Sequence, residues 1–125
     1  MKKHLQFIGM GAGLLVLFFA FVPGMMDDEI PKDVNEVLMT SCYGCHNNDG
    51  KNKDAVEALN FDQWNEYRVT KKVGLLDKIK EVVEEDKMPP SKFVEQQPDK
   101  KPTEVQKELI TDWTKEASDA LMGAK

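Results

Sequence analysis

The sequence predicts an all-α domain that follows an N-terminal apolar segment. A run of 22 residues, 5–26, contains no ionisable side chain. In the rest of the chain, apolar residues recur at helical spacing, and no stretch shows the alternation typical of a strand. About 100 residues remain after the apolar run, which is the usual size of one domain. We therefore expect a signal peptide or membrane anchor at residues 1–26 and one domain at residues 27–125.

The N-terminal segment has the charge pattern of an export signal. Lys2 and Lys3 precede the apolar run, and three acidic residues follow it from Asp27 onward. Its length is close to the ~20 residues that cross a bilayer, and no good cleavage site precedes Asp27, which favours an uncleaved anchor. The positive-inside rule keeps the N-terminus cytoplasmic. The domain is then expected on the periplasmic side of the cytoplasmic membrane, anchored by this helix, or soluble in the periplasm if the segment is cleaved.

The charge of the exported part limits its partners. The chain has 17 basic and 22 acidic residues, and Lys2 and Lys3 are the only charged residues before position 27. Residues 27–125 therefore carry a net charge of −7. Such a domain is a poor partner for nucleic acids or anionic lipids, since both are negatively charged.

The first predicted helix covers residues 33–45, because Val34, Val37 and Leu38 fall on one helical face. The polar stretch 47–54 predicts a loop.

Three helices are expected in the middle of the chain. Two are short, at residues 55–59 and 61–67, and Asp62 is the candidate N-cap of the second. The third runs from Thr70 or Lys71 to about Glu85. Its inner face is expected to consist of Val73, Leu76, Ile79, Lys80 and Val83.

The C-terminal part combines a proline-rich segment with a clear helix. Residues 87–102 include four prolines, which predict a non-helical segment. Thr103 and Gln106 then form a capping box at the start of the last helix. Its inner face is predicted to carry Val105, Leu109, Trp113, Ala117 and Ala120 or Leu121.

The stretch "SCYGCH" at 41–46 holds both cysteines and one of the two histidines of the chain. The C-x-x-C-H spacing is typical of covalent haem attachment, in which the thiols of Cys42 and Cys45 bond to the two vinyl groups of the porphyrin. His46 then binds the iron. An exported chain favours this interpretation, because c-type haem is attached outside the cytoplasmic membrane.

Three other chemistries remain open for the same residues. Structural zinc needs four ligands, and the second histidine, His4, is expected on the other side of the membrane. A redox dithiol needs a βαβ setting that the sequence does not predict. A plain disulfide between Cys42 and Cys45 leaves His46 without a role.

Met88 is the candidate for the second axial ligand of the iron. A methionine sulfur is the usual partner of histidine in electron-carrying cytochromes. Met39 lies on the same predicted helix as His46, Met122 lies near the C-terminus, and the other methionines belong to the N-terminal segment or its edge. Pro89 and Pro90 stiffen the backbone after Met88. The alternative is that Met88 only fills a gap in the core.

Four segments together resemble a known family: "SCYGCHNN" (41–48), "FDQWNEY" (61–67), "KMPPSKF" (87–93) and the last helix with Trp113. They are similar to small class I c-type cytochromes and, more closely, to the bacterial haem-binding domain family. The resemblance implies a helical domain whose first and last helices cross near one haem edge, with Met88 on the distal side of the iron.

We therefore expect a monohaem c-type cytochrome that exchanges electrons with redox partner proteins. One covalently attached haem c with its iron is the expected cofactor, and no catalytic residue is expected. The alternative is a haem-based ligand sensor or peroxidase-like domain in which the distal ligand can be displaced. Four residues have open roles between haem contact and ordinary packing or solvation: Trp64, Tyr67, Lys87 and Lys92.

Overall fold

The computed structural model describes residues 29–123 of the chain. Within this range the structure contains helices and no strand, which confirms the predicted all-α class. The α-helices are α1 (Lys32–Ser41), α2 (Lys53–Ala58), α3 (Val69–Glu84), α4 (Ser91–Gln96) and α5 (Glu104–Gly123). Two 3₁₀ helices cover Phe61–Glu66 and Pro98–Lys100.

The predicted signal or anchor segment at residues 1–26 and its boundary with the domain lie outside the described residues. Between residues 29 and 123, no helix combines the length and the apolar character that crossing a bilayer requires.

Helix α1 ends earlier than predicted, at Ser41 rather than at residue 45. The backbone amides of Cys42 and Tyr43 both donate to the carbonyl oxygen of Leu38, at 2.7 and 2.9 Å, so the regular helical ladder stops there. The amides of Cys45 and His46 then both donate to the carbonyl of Cys42, each at 3.1 Å. The C-x-x-C-H segment therefore forms consecutive turns at the end of the helix.

The predicted helix at 61–67 is present as a 3₁₀ helix, but its cap was assigned wrongly. Asn60 is the N-cap, and its side-chain oxygen accepts the amide of Asp62 at 3.0 Å. The carboxylate of Asp62 instead accepts the amide of Asn48 at 2.9 Å. Asp62 thus connects this helix to the loop that follows the C-x-x-C-H segment.

The prediction that residues 87–102 are non-helical is wrong. Helix α4 fits between the prolines, with Pro90 at its N-cap, and Pro98 opens the second 3₁₀ helix. Proline lacks only an amide that the first turn of a helix leaves unpaired. These prolines therefore bound short helices, whereas prolines inside a helix would break it.

The core lies where α3 packs along α5 and α1 contacts α5. In α3 the predicted residues Leu76, Ile79 and Val83 are buried. The burial of Lys72 was not predicted; its ammonium lies 5.8 Å from the ring centroid of Trp64. The buried apolar side chains are Val34, Val37, Leu38, Phe61, Trp64, Leu76, Ile79, Val83, Ile110 and Trp113.

The buried face of α5 differs in part from the predicted one. Ile110, Trp113 and Thr114 are buried, whereas Val105 is 75% exposed. At 3.6 residues per turn, Val105 lies about 140° around the helix from Ile110 and so faces away from the core. The capping box is confirmed: the amide of Gln106 donates to Thr103 Oγ1 at 3.2 Å, and the amide of Thr103 donates to Gln106 Oε1 at 2.9 Å.

Candidate functional site

The four residues that the sequence singles out line one cleft. Cys42, Cys45 and His46 come from the turns after α1, and Met88 comes from the loop between α3 and α4. Met88 lies more than 40 residues after His46 in the chain, so the fold brings it to the other three residues. The remaining residues of the cleft wall are Ser41, Asn52, Ala55, Pro89, Pro90 and Phe93.

The imidazole of His46 is held by two backbone carbonyls. Its Nδ1 atom lies 2.9 Å from the oxygen of Ala55 and 3.0 Å from the oxygen of Leu59. Carbonyl oxygens only accept hydrogen bonds, so Nδ1 carries a proton, and in the neutral ring the lone pair lies on Nε2. The ring also packs edge-on against Phe61, with centroids 6.4 Å apart. This arrangement fixes both the tautomer and the ring direction, which a metal-binding histidine requires.

The two thiols are free and differ in exposure. Cys42 is partly buried and Cys45 is exposed, and neither forms a disulfide. Burial, with a smaller contribution from the neighbouring Cys45, raises the pKa of the Cys42 thiol to about 12. Cys42 therefore keeps its proton at neutral pH.

Met88 is 38% exposed and lies in a short loop at the end of α3. The amides of Lys87 and Met88 both donate to the carbonyl of Val82, at 2.9 and 3.0 Å. Asp86, just before them, has φ of 53°, which is in the left-handed region. We call residues 85–90 the Met88 loop.

The other described methionines lie elsewhere. Met39 is 59% exposed and Met122 is 54% exposed, and neither lines the cleft.

The cleft has a volume of about 100 Å³, and the chemistry of its lining residues is that of a haem site. Ala55, Pro89, Pro90 and Phe93 offer the apolar surface that a porphyrin ring needs. Two cysteines, a histidine and a methionine line the same space, and their side chains carry the groups that attach a haem and bind its iron. Across residues 29–123, no three His, Cys, Asp or Glu side chains form a group that could hold a metal ion directly.

Trp64 and Tyr67 do not line the cleft. Trp64 is buried against Trp113, with ring centroids 5.8 Å apart. The hydroxyl of Tyr67 accepts the amide of Asn60 at 3.1 Å. Both residues make the contacts of ordinary core residues.

The lysines on either side of Met88 have different surroundings. Lys87 pairs with Glu85 and, at 3.8 Å, with Glu81. Lys92 is exposed on α4.

Several contributions to the site were not found from the sequence. The carbonyls of Ala55 and Leu59 hold His46, but backbone atoms leave no signal in the residue types. Gly50 packs against this region: a Cβ atom there would clash with the carbonyl oxygen of Cys45 and lie 2.6 Å from Val56 Cγ2. In the sequence, the only sign of this role is that Gly50 lies in the polar loop at residues 47–54.

Comparison with known protein families gives one result. A family model described as a haem-binding domain matches residues 49–116, which is more than half of the chain. The matched region includes the Met88 loop and begins three residues after His46. No curated protein and no solved structure gives a significant match.

Proposed function

Because this chain belongs to the haem-binding domain family, we propose that it is a monohaem c-type cytochrome that transfers electrons outside the cytoplasmic membrane. Haem binding follows from the family. The covalent attachment, the axial ligands and electron transfer are the proposal. The observation that carries it is the cleft that Cys42, Cys45, His46 and Met88 share, with the Nδ1 proton of His46 held by two carbonyls.

In this proposal Cys42 and Cys45 hold the haem through thioether bonds. Each S–H adds across a vinyl double bond, so that sulfur bonds to one carbon and hydrogen to the other. No atom leaves and no oxidant is needed, which suits the protonated thiol of Cys42. His46 Nε2 and Met88 Sδ would bind the iron. A bound haem supplies a one-electron redox centre, and two protein ligands leave no coordination position for a substrate.

Covalent attachment can be tested by intact-protein mass. Expressed together with a haem-attachment system, the protein should gain the mass of one complete haem, because the addition expels no atom. It should also keep its colour through a denaturing gel. The matched control is the double variant Cys42→Ser and Cys45→Ser, which should keep the polypeptide mass. A colourless wild-type protein of unmodified mass would contradict the proposal.

Membrane attachment is a separate expectation that follows from residues 5–26. If this segment stays uncleaved, the protein should remain in the membrane fraction after washing with high salt and with carbonate, since neither removes a spanning helix. A soluble periplasmic protein with its mature N-terminus near Met25 would show instead that the segment is a cleaved signal. Redox partner proteins would meet the domain on the periplasmic side in either case.

One observation favours a second candidate function, a haem-based ligand sensor. Met88 is 38% exposed, and a further cavity of about 320 Å³ borders it and Pro89. Space next to the ligand would allow Met88 to be displaced by a small gas molecule. Rapid and tight carbon monoxide binding by the ferrous wild-type protein would favour the sensor over the electron carrier.

A further inference from the structure

The Met88 loop is bordered by space on two sides. Met88 and Pro89 line the cleft that contains His46, and they also line the second cavity of about 320 Å³. Dense packing is what normally holds a side chain in one position. The proposed haem would fill the cleft with His46, but the second cavity, which Asp86 and Lys107 also line, leaves Met88 and Pro89 without packing partners on that side. Other interactions therefore contribute to the position of Met88.

An ion pair connects this loop to α5. Lys107 Nζ lies 2.9 Å from Asp86 Oδ1, and it also lies 2.9 Å from Glu104 Oε1. The side chain of Lys107 is only 14% exposed. Asp86 lies two residues before Met88, and Lys107 lies 21 residues further along the chain. The pair therefore joins the loop to a long helix of the core.

We propose that Asp86 and Lys107 are positioning residues that keep Met88 at the iron by fastening the Met88 loop to α5. The inference rests on the proposed ligation by Met88 and adds the pair that maintains it. Removing Lys107 also takes away the one cation that contacts both Asp86 and Glu104 in the described part of the chain, and it leaves Lys101 as a weaker positive neighbour of Asp86. Repulsion between the two carboxylates would push the loop away from α5.

The shielding of Lys107 sets this pair apart from an ordinary surface pair. Lys115 and Asp119 form a comparable contact on the same helix, at 3.0 Å, but their side chains are 69% and 60% exposed. Exposed pairs of this kind contribute little, because water and salt screen them. Asp86 is 62% exposed, much as Asp119 is, so the difference between the two pairs lies in the lysine alone. Because Lys107 is mostly covered by protein, its pair with Asp86 should be screened less than the pair of Lys115.

Carbon monoxide provides the readout, because it competes with Met88 for ferrous iron. Its apparent affinity is proportional to the fraction of molecules in which Met88 is dissociated. We expect Lys107→Met in the haem-loaded protein to raise that affinity about fivefold, the size that loss of a partly shielded ion pair allows. Asp86→Asn should have a similar effect, and asparagine tolerates the left-handed backbone at this position.

The two variants also separate positioning from a simple charge effect. Lys107→Met removes a positive charge and Asp86→Asn removes a negative one, so a direct electrostatic effect on the iron would have opposite signs. Loss of positioning raises carbon monoxide affinity in both. The double variant should show less than the product of the two single effects, since both disrupt the same contact.

Lys115→Met is the matched control and should leave carbon monoxide affinity unchanged. The inference would be overturned if Lys107→Met and Asp86→Asn bind carbon monoxide with the same affinity as Lys115→Met. It would also be overturned if the affinity rises in one of the first two variants and falls in the other. Met88→Ala tests the proposed ligation itself. If Met88→Ala binds carbon monoxide tightly and the ion-pair variants match wild type, only the positioning role fails. If Met88→Ala also matches wild type, the proposed ligand is wrong.

Discussion

Replacing Met88 with alanine is expected to lower the haem reduction potential by roughly 0.2 V, a fraction of the ~0.8 V range that axial ligands set. A thioether favours ferrous iron, so its loss favours the ferric state. Alanine leaves Pro89 and Pro90 in place, and the backbone amides at positions 87 and 88 can still donate to Val82. The change should therefore remove the ligand and leave the backbone conformation of the Met88 loop unchanged.

The measurement is a potentiometric titration combined with absorption spectra. Met88→Ala should change the ferric spectrum from low-spin to high-spin and should bind carbon monoxide readily when reduced. Met88→His should return a low-spin spectrum at a potential below that of wild type. Met39→Ala and Met122→Ala are matched controls, because both side chains are exposed and neither lines the cleft. An unchanged spectrum and potential in Met88→Ala would show that Met88 does not bind the iron, and would favour a sensor or peroxidase-like domain in which Met88 is not a ligand.

The sequence predicted those features that depend on neighbouring residues. The capping box of Thr103 and Gln106 acts over three positions, and the burial of Leu76, Ile79 and Val83 follows from a regular helical period. The C-x-x-C-H spacing is equally local. For this reason the all-α class and the candidate haem-attachment residues could be proposed without a structure.

The errors have two sources: local backbone geometry that residue types do not reveal, and contacts between distant segments. Helix α1 stops at Ser41 because two amides share the carbonyl of Leu38, which no spacing rule indicates. Val105 has the right period for an inner face, but the buried face of α5 is centred on Ile110, Trp113 and Thr114, and Val105 lies outside it. The pairing of Asp86 with Lys107 spans 21 positions and is set by the fold.

The orientation of His46 is the part of the site that depends most on such contacts. The two carbonyls that hold its Nδ1 belong to Ala55, in α2, and to Leu59, immediately after that helix. The position of α2 relative to the C-x-x-C-H segment therefore determines where Nε2 is presented. Gly50 lies at the contact between these two elements, against the carbonyl of Cys45 and the side chain of Val56.

Gly50→Ala is accordingly expected to destabilise the domain by about 2 kcal/mol, which lowers the Tm by about 10 °C in a domain of this size. The added Cβ would clash with the Cys45 carbonyl oxygen and lie 2.6 Å from Val56 Cγ2 and 3.1 Å from the carbonyl oxygen of Asn47. Two of these three atoms are backbone atoms of Cys45 and Asn47, so relief requires the backbone at Gly50 to move away from the C-x-x-C-H segment. We expect α2, which begins three residues later, to move with it. The fraction of protein that carries haem should fall as well, because His46 would lose its fixed direction.

Gly74→Ala is the matched control for the same substitution. Gly74 lies inside α3, and a Cβ there meets no atom within 4 Å. Alanine is the better helix former, so this variant should be more stable than wild type by about 0.5–1 kcal/mol and should load haem normally. Thermal unfolding followed by circular dichroism, together with the haem-to-protein ratio, measures both effects. If the two variants shift the Tm in the same direction, or if Gly50→Ala loads haem as wild type does, contact between α2 and the C-x-x-C-H segment does not control the presentation of His46.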